Sequence, residues 1–144
     1  MKRKLFAVLA LSILCATGAF AGKGGPIIAG SWAGLGQAIY MDGTTAEIAV
    51  DFVSVYQKGN FVYGDSQFTV TIGDGSPQTL PGQLSGYIQG NVLKGTFGMC
   101  MPAAPDCIGA AVFEGKISGN MLSVTIVDLS DGSTSAVTLY RTAD

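Results

Sequence analysis

The sequence contains no histidine. That excludes a Ser-His-Asp triad, a Cys-His nucleophile and any His-ligated metal centre. Charge is scarce: 12% of the 144 residues are Asp, Glu, Lys or Arg, against 48% hydrophobic. There is one tryptophan, Trp32, and only three cysteines. One apolar run stands out, over residues 5–14, and it is too short to cross a bilayer. It follows Lys2, Arg3 and Lys4 and precedes Ala19-Phe20-Ala21, a small-residue cleavage site of the A-x-A kind. Residues 1–21 therefore read as a secretory signal peptide. We expect an exported protein, periplasmic or extracellular, with one domain in the remaining 123 residues.

Basic residues are scarcer still without the leader. Lys23, Lys58, Lys94, Lys116 and Arg141 then face ten acids, and the net charge moves from −2 to −5. Nucleic acid is not an expected partner, because its affinity comes mainly from neutralised phosphates. Cys15 leaves with the leader; Leu14 before it is not the small residue that lipidation favours. Cys100 and Cys107 remain, in a compartment that oxidises thiols. The plain expectation is a disulfide between them, the alternative two free thiols. Six intervening residues argue against a redox-active pair, which is usually closer.

What the sequence has instead is turns. Asp42-Gly43, Asp74-Gly75 and Asp131-Gly132 fit type I′ turns. Gly59-Asn60, Gly90-Asn91 and Gly119-Asn120 fit type II′, with glycine first. A seventh turn falls in the double-length gap, at Cys100-Met101-Pro102-Ala103-Ala104-Pro105-Asp106-Cys107. Seven turns join eight strands. Between them the residues alternate: Ile48, Val50 and Phe52 on one face; Leu84, Gly86 and Ile88; Phe113, Gly115 and Ile117; Leu122, Val124 and Ile126. A flat meander would leave an apolar face bare and two edges open. Closure into an all-β, eight-stranded antiparallel up-and-down barrel removes both problems. The Gly-Asn hairpin tips also form a weak repeat about 30 residues apart, too short a chain for a propeller.

In such a barrel alternate turns lie at alternate ends. The Asp-Gly turns and the cysteine loop share one end, which gathers Asp42, Glu47, Asp74, Asp106, Asp128 and Asp131. The Gly-Asn turns share the other, toward which all five basic residues lie. The same parity brings Trp32 and Arg141 together at the basic end, an arginine over an indole. Any ligand should then enter at the acidic end. Asp42, Asp74, Met101, Asp106 and Asp131 are the candidate mouth residues.

With Gly30-x-Trp32 on its first strand, eight meandering strands and a basic residue on the last, the chain resembles the calycin superfamily over residues 30–142. That superfamily includes the lipocalins, the avidins and bacterial relatives. The resemblance implies that Trp32 plugs the closed end and Arg141 packs across it. It also implies binding of a small apolar ligand or a partner peptide at the mouth. The chain is shorter than typical lipocalins, with tight loops and no C-terminal helix, and it lacks the polar set that biotin would need. The small bacterial barrels that inhibit secreted metalloproteases are also similar. By that likeness residues 22–29, which begin Gly22-Lys23-Gly24-Gly25-Pro26, would be a flexible inhibitory arm, although the disulfide sits elsewhere in the barrel.

No enzyme, cofactor or metal is expected. No nucleophile–base pair can be placed, no calcium-loop pattern accompanies the aspartates, and nothing selects two acids for glycoside hydrolysis. Three functions remain: a non-catalytic binding module, a protease-inhibitor-like interaction protein, and a small outer-membrane barrel. Short turns and a C-terminus without an aromatic residue argue against the last, and no membrane association is expected.

Overall fold

Alternation of apolar and polar residues produces eight strands, and the computed structural model, which describes residues 25–99 and 108–143, contains no other regular element. The strands are β1 (Gly30–Ile39), β2 (Thr45–Lys58), β3 (Phe61–Ile72), β4 (Gln78–Gln89), β5 (Val92–Met99), β6 (Ile108–Ser118), β7 (Met121–Asp128) and β8 (Thr134–Arg141). Each pairs antiparallel with the next, and β8 returns to β1, closing the barrel. The expected meander of eight strands is therefore the observed fold. Closure leaves no open edge, and every strand turns apolar residues inward, although β1 also carries Leu35 and Ile39 on its outer face, 72% and 57% exposed.

The Gly-Asn turns have the expected form. Gly59, Gly90 and Gly119 take φ of 61°, 63° and 60°, and the asparagines after them stay at negative φ, as type II′ requires. Their likeness in sequence has a shared backbone role. The carbonyls of Asn60, Asn91 and Asn120 accept bonds from Ile88, Ile117 and Arg141 N–H, at 2.7, 2.8 and 2.9 Å. Each turn thereby extends the ladder to the strand that follows its hairpin.

The Asp-Gly turns correct the expectation. Type I′ needs positive φ at both central residues, and no non-glycine residue has it. At the first, Gly43 N–H bonds Tyr40 C=O and Tyr40 N–H bonds Thr44 C=O, a three-residue loop with Gly43 left-handed at φ 84°. At the second the bend falls one residue early. Gly73 takes the positive φ, and Gly75 N–H closes on Ile72 C=O. At the third, Gly132 N–H reaches Asp128 C=O across a longer loop. In each an aspartate side chain competes for backbone donors, or glycine shifts position, so the dipeptide alone did not specify the turn.

One strand face also needs correction. Phe52 does not share a face with Ile48 and Val50. A bulge between Val50 and Phe52 shifts the register against β3. Val53 and Val55 then point inward, while Phe52 and Tyr56 point out, Phe52 being 41% exposed.

Candidate functional site

The barrel has two unlike ends, and the closed one is built first. Trp32 on β1 is 0% exposed, and its register partner on β8 is Arg141. The guanidinium carbon lies 4.5 Å from the indole centroid. Arg141 also donates to the carbonyls of Ala29 (2.6 Å) and Ile27 (2.7 Å). The indole N–H donates to Ile28 C=O at 2.8 Å. Gly30, two residues before Trp32, has φ 123°, and a Cβ there would meet the Arg141 guanidinium at 2.9 Å. The backbone conformation favours glycine, and a side chain there would push the guanidinium aside.

These bonds hold a segment that sequence reasoning expected to be a flexible arm. Over residues 26–29 it is docked instead. Ile28 is fully buried beside Trp32. Gln57, at the end of β2, grips the segment from both sides: Oε1 accepts from Ile28 N–H (2.8 Å), and Nε2 donates to Pro26 C=O (3.2 Å). Neither Ile28 nor Gln57 was singled out from the sequence. The signal for Gln57 was a polar residue continuing the inward series Val53, Val55, Gln57.

Above this floor the barrel is hollow. A cavity of about 290 Å³ runs from Trp32, Val53, Leu93 and Leu122 to a rim of Tyr40, Ile72, Gln78, Asp128, Asp131 and Ser133. That volume lies near the lower end of typical small-molecule sites, roughly 300–1,000 Å³. Val50, Phe68, Val70, Leu84, Phe97, Phe113, Val137 and Leu139 form its walls. Phe68 and Phe97 meet in a tilted pair with centroids 5.5 Å apart. Exposed Ile72 and Asp131 set the rim at the Asp-Gly end.

One wall residue is polar and unsatisfied. Ser66, on β3, is 5% exposed, and its Oγ finds no hydrogen-bond partner among the described residues. Leaving a buried hydroxyl unpaired costs about 1–3 kcal/mol. Room for it comes from Gly82 on β4, where a Cβ would meet Ser66 Oγ at 2.8 Å and the Phe97 ring at 2.5 Å. Sequence reasoning missed Ser66 as well. Its signal was a serine at an inward position between Gly64 and Phe68.

The candidate mouth residues separate. Asp131 lines the cavity, and hydrogen bonds from the Ser133 hydroxyl and amide hold its carboxyl below the ordinary value. Asp128, placed near this end but not among the candidate mouth residues, also lines the cavity. Asp42 does not: its Oδ1 accepts from Thr44 N–H at 2.8 Å, and this bond with the Thr44 hydroxyl lowers its pKa. Asp74 sits in an exposed turn away from the lining. Met101, Asp106, Cys100 and Cys107 lie outside the described residues, and so do the leader and the first part of the arm. Among the described residues no group of three or more His, Cys, Asp or Glu gathers as a metal site.

No protein-family model matches the chain, and no curated protein matches it. Solved structures do resemble it. A redesigned beta barrel, mFAP1, bound to DFHBI, superposes with a TM-score of 0.50 at 19% identity, covering 78% of this chain and 94% of that one. A second redesigned barrel, mFAP0, also bound to DFHBI, has a TM-score of 0.47 at 20% identity, with 78% and 97% covered. Rv2717c from M. tuberculosis has a TM-score of 0.45 at 20% identity, with 80% and 92% covered. At such identities the likeness to mFAP1 establishes a shared barrel fold.

Proposed function

We propose that the chain is an exported, non-catalytic binding protein whose barrel interior holds one small apolar ligand. The observation that carries this reading is the hollow apolar cavity above the Trp32 floor. A barrel built only as a scaffold gains stability by filling its interior, since each empty volume forfeits packing. The redesigned barrel mFAP1, which shares this fold and is bound to DFHBI, accords with the reading. Export rests on the basic and apolar pattern of residues 1–21. The inward apolar face favours this over an outer-membrane barrel, whose apolar band faces lipid. The docking of residues 26–29 favours it over an inhibitor that would insert that stretch into an enzyme.

The test is titration with N-phenyl-1-naphthylamine, a neutral apolar fluorophore. Saturable one-to-one binding is expected. Ala111→Phe, which adds a ring to the cavity wall, should abolish it while the circular dichroism stays β-rich. Absence of saturable binding, or equal binding by the filled variant, would overturn the proposal.

A further inference from the structure

Resting on the binding reading, the structure assigns a chemical class to the ligand: we infer that it is an uncharged molecule with an apolar body and one hydrogen-bonding group, seated on Ser66 Oγ, and that carboxylates are rejected. Ser66 is nine-tenths buried, unpartnered among the described residues, and belongs to the cavity lining close to Phe97; its Oγ is covered by its neighbours, so a ligand reaches it as those wall side chains give way. It sits three inward positions below the rim residue Ile72, past Phe68 and Val70. The hydroxyl therefore meets the middle of a bound molecule or its leading end, deep among apolar walls. The other buried serine of the cavity, Ser133, is already engaged: its hydroxyl and amide serve Asp131. An unused hydroxyl in an apolar wall discriminates strongly, because a ligand that lacks a partner for it leaves it unpaired.

The charge of the ligand follows from the same lining. Among the described residues none of those around the cavity is basic. Arg141 lies beneath Trp32, spent on the carbonyls of Ala29 and Ile27. Lys94 faces outward, 3.0 Å from Glu114. At the rim stand Asp128 and Asp131, the latter held ionised by Ser133. A carboxylate would enter past like charge and then lie in apolar surroundings without a counter-ion. A hydroxyl or carbonyl compound meets neither obstacle.

Three probes with one ring system decide the matter: 2-naphthol, 2-methylnaphthalene and 2-naphthoate, titrated calorimetrically into the full chain and into Ser66→Ala. The unaltered protein should bind 2-naphthol at least tenfold more tightly than 2-naphthoate. Ser66→Ala should weaken 2-naphthol by about tenfold, the worth of one buried hydrogen bond, and leave 2-methylnaphthalene unchanged or tighter. Equal affinity for naphthol and naphthoate would overturn the assignment, without any variant being needed. So would a Ser66→Ala protein that binds naphthol as well as before. If 2-methylnaphthalene binds in either case, the cavity still accepts apolar ligands and only the Ser66 anchor fails. If no probe binds, the binding reading fails with it.

Discussion

Removing the plug at the closed end should reveal one shared interaction. Trp32→Ala deletes a side chain that is wholly buried, and it also removes the indole bond to Ile28 C=O. A core aromatic truncated to alanine costs about 3–5 kcal/mol. Arg141→Met keeps much of the apolar stem but loses two charged donors to Ala29 and Ile27. Bonds from charged donors are worth roughly 1.5–3 kcal/mol each when sheltered. The Ile27 bond is exposed, so water replaces much of it, and a loss of about 2–3 kcal/mol is expected. The guanidinium over the indole contributes roughly 0.5–2 kcal/mol that either change removes. The double variant should therefore be more stable than the sum of the single losses allows, by about 1–2 kcal/mol. Urea unfolding followed by circular dichroism measures all four proteins without relying on the sole tryptophan. Losses that add to within about 0.5 kcal/mol would mean that the two side chains are energetically independent, refuting the plug.

Two further outcomes test neighbouring claims. Gln57→Ala should release residues 26–29, so the Ile28 amide should exchange with solvent much faster while the β1–β8 ladder stays protected; unchanged Ile28 protection would refute the clamp. Asp131 has a lowered pKa in the fold, so its contribution is complete above the unfolded value of 3.8 and is lost as pH falls through the lower folded value. Asp131→Asn should thus be less stable than the unaltered protein near neutrality and converge with it in acid; a constant difference at all pH values would remove Ser133 as the cause.

The fold was legible because its signals are local and periodic. Two-residue turns at even spacing and strands with one apolar face admit few topologies, and closure follows from the edges. Turn parity alone placed Trp32 and Arg141 at one end. Detail was lost where a single residue breaks the period. The bulge between Val50 and Phe52 turns Phe52 outward, and nothing in that run of residues marks it. The aspartates were read as a set, but Asp42 belongs to its turn and Asp131 to the cavity. That division depends on how each turn bends into or away from the mouth. Ser66 and Gln57 were readable in principle, as polar residues at inward positions. The pattern shows that such residues are buried, not what they bond. Ile28 lies before the first strand, where no period operates. It is buried because Gln57 and Trp32 bond its backbone and Arg141 bonds the residues on either side, which draws the segment across the barrel end.

Above all, the account requires that an apolar ligand bind inside the barrel and not on its wall. The wall offers a rival: Tyr56 and Tyr63 stack outside at 5.3 Å, with Phe61 and Tyr87 exposed nearby. Intermolecular nuclear Overhauser effects from bound N-phenyl-1-naphthylamine distinguish the two. Contacts to Phe97, Val137 and Leu122 are predicted. Contacts confined to Tyr56, Tyr63 and Phe61 would contradict the account.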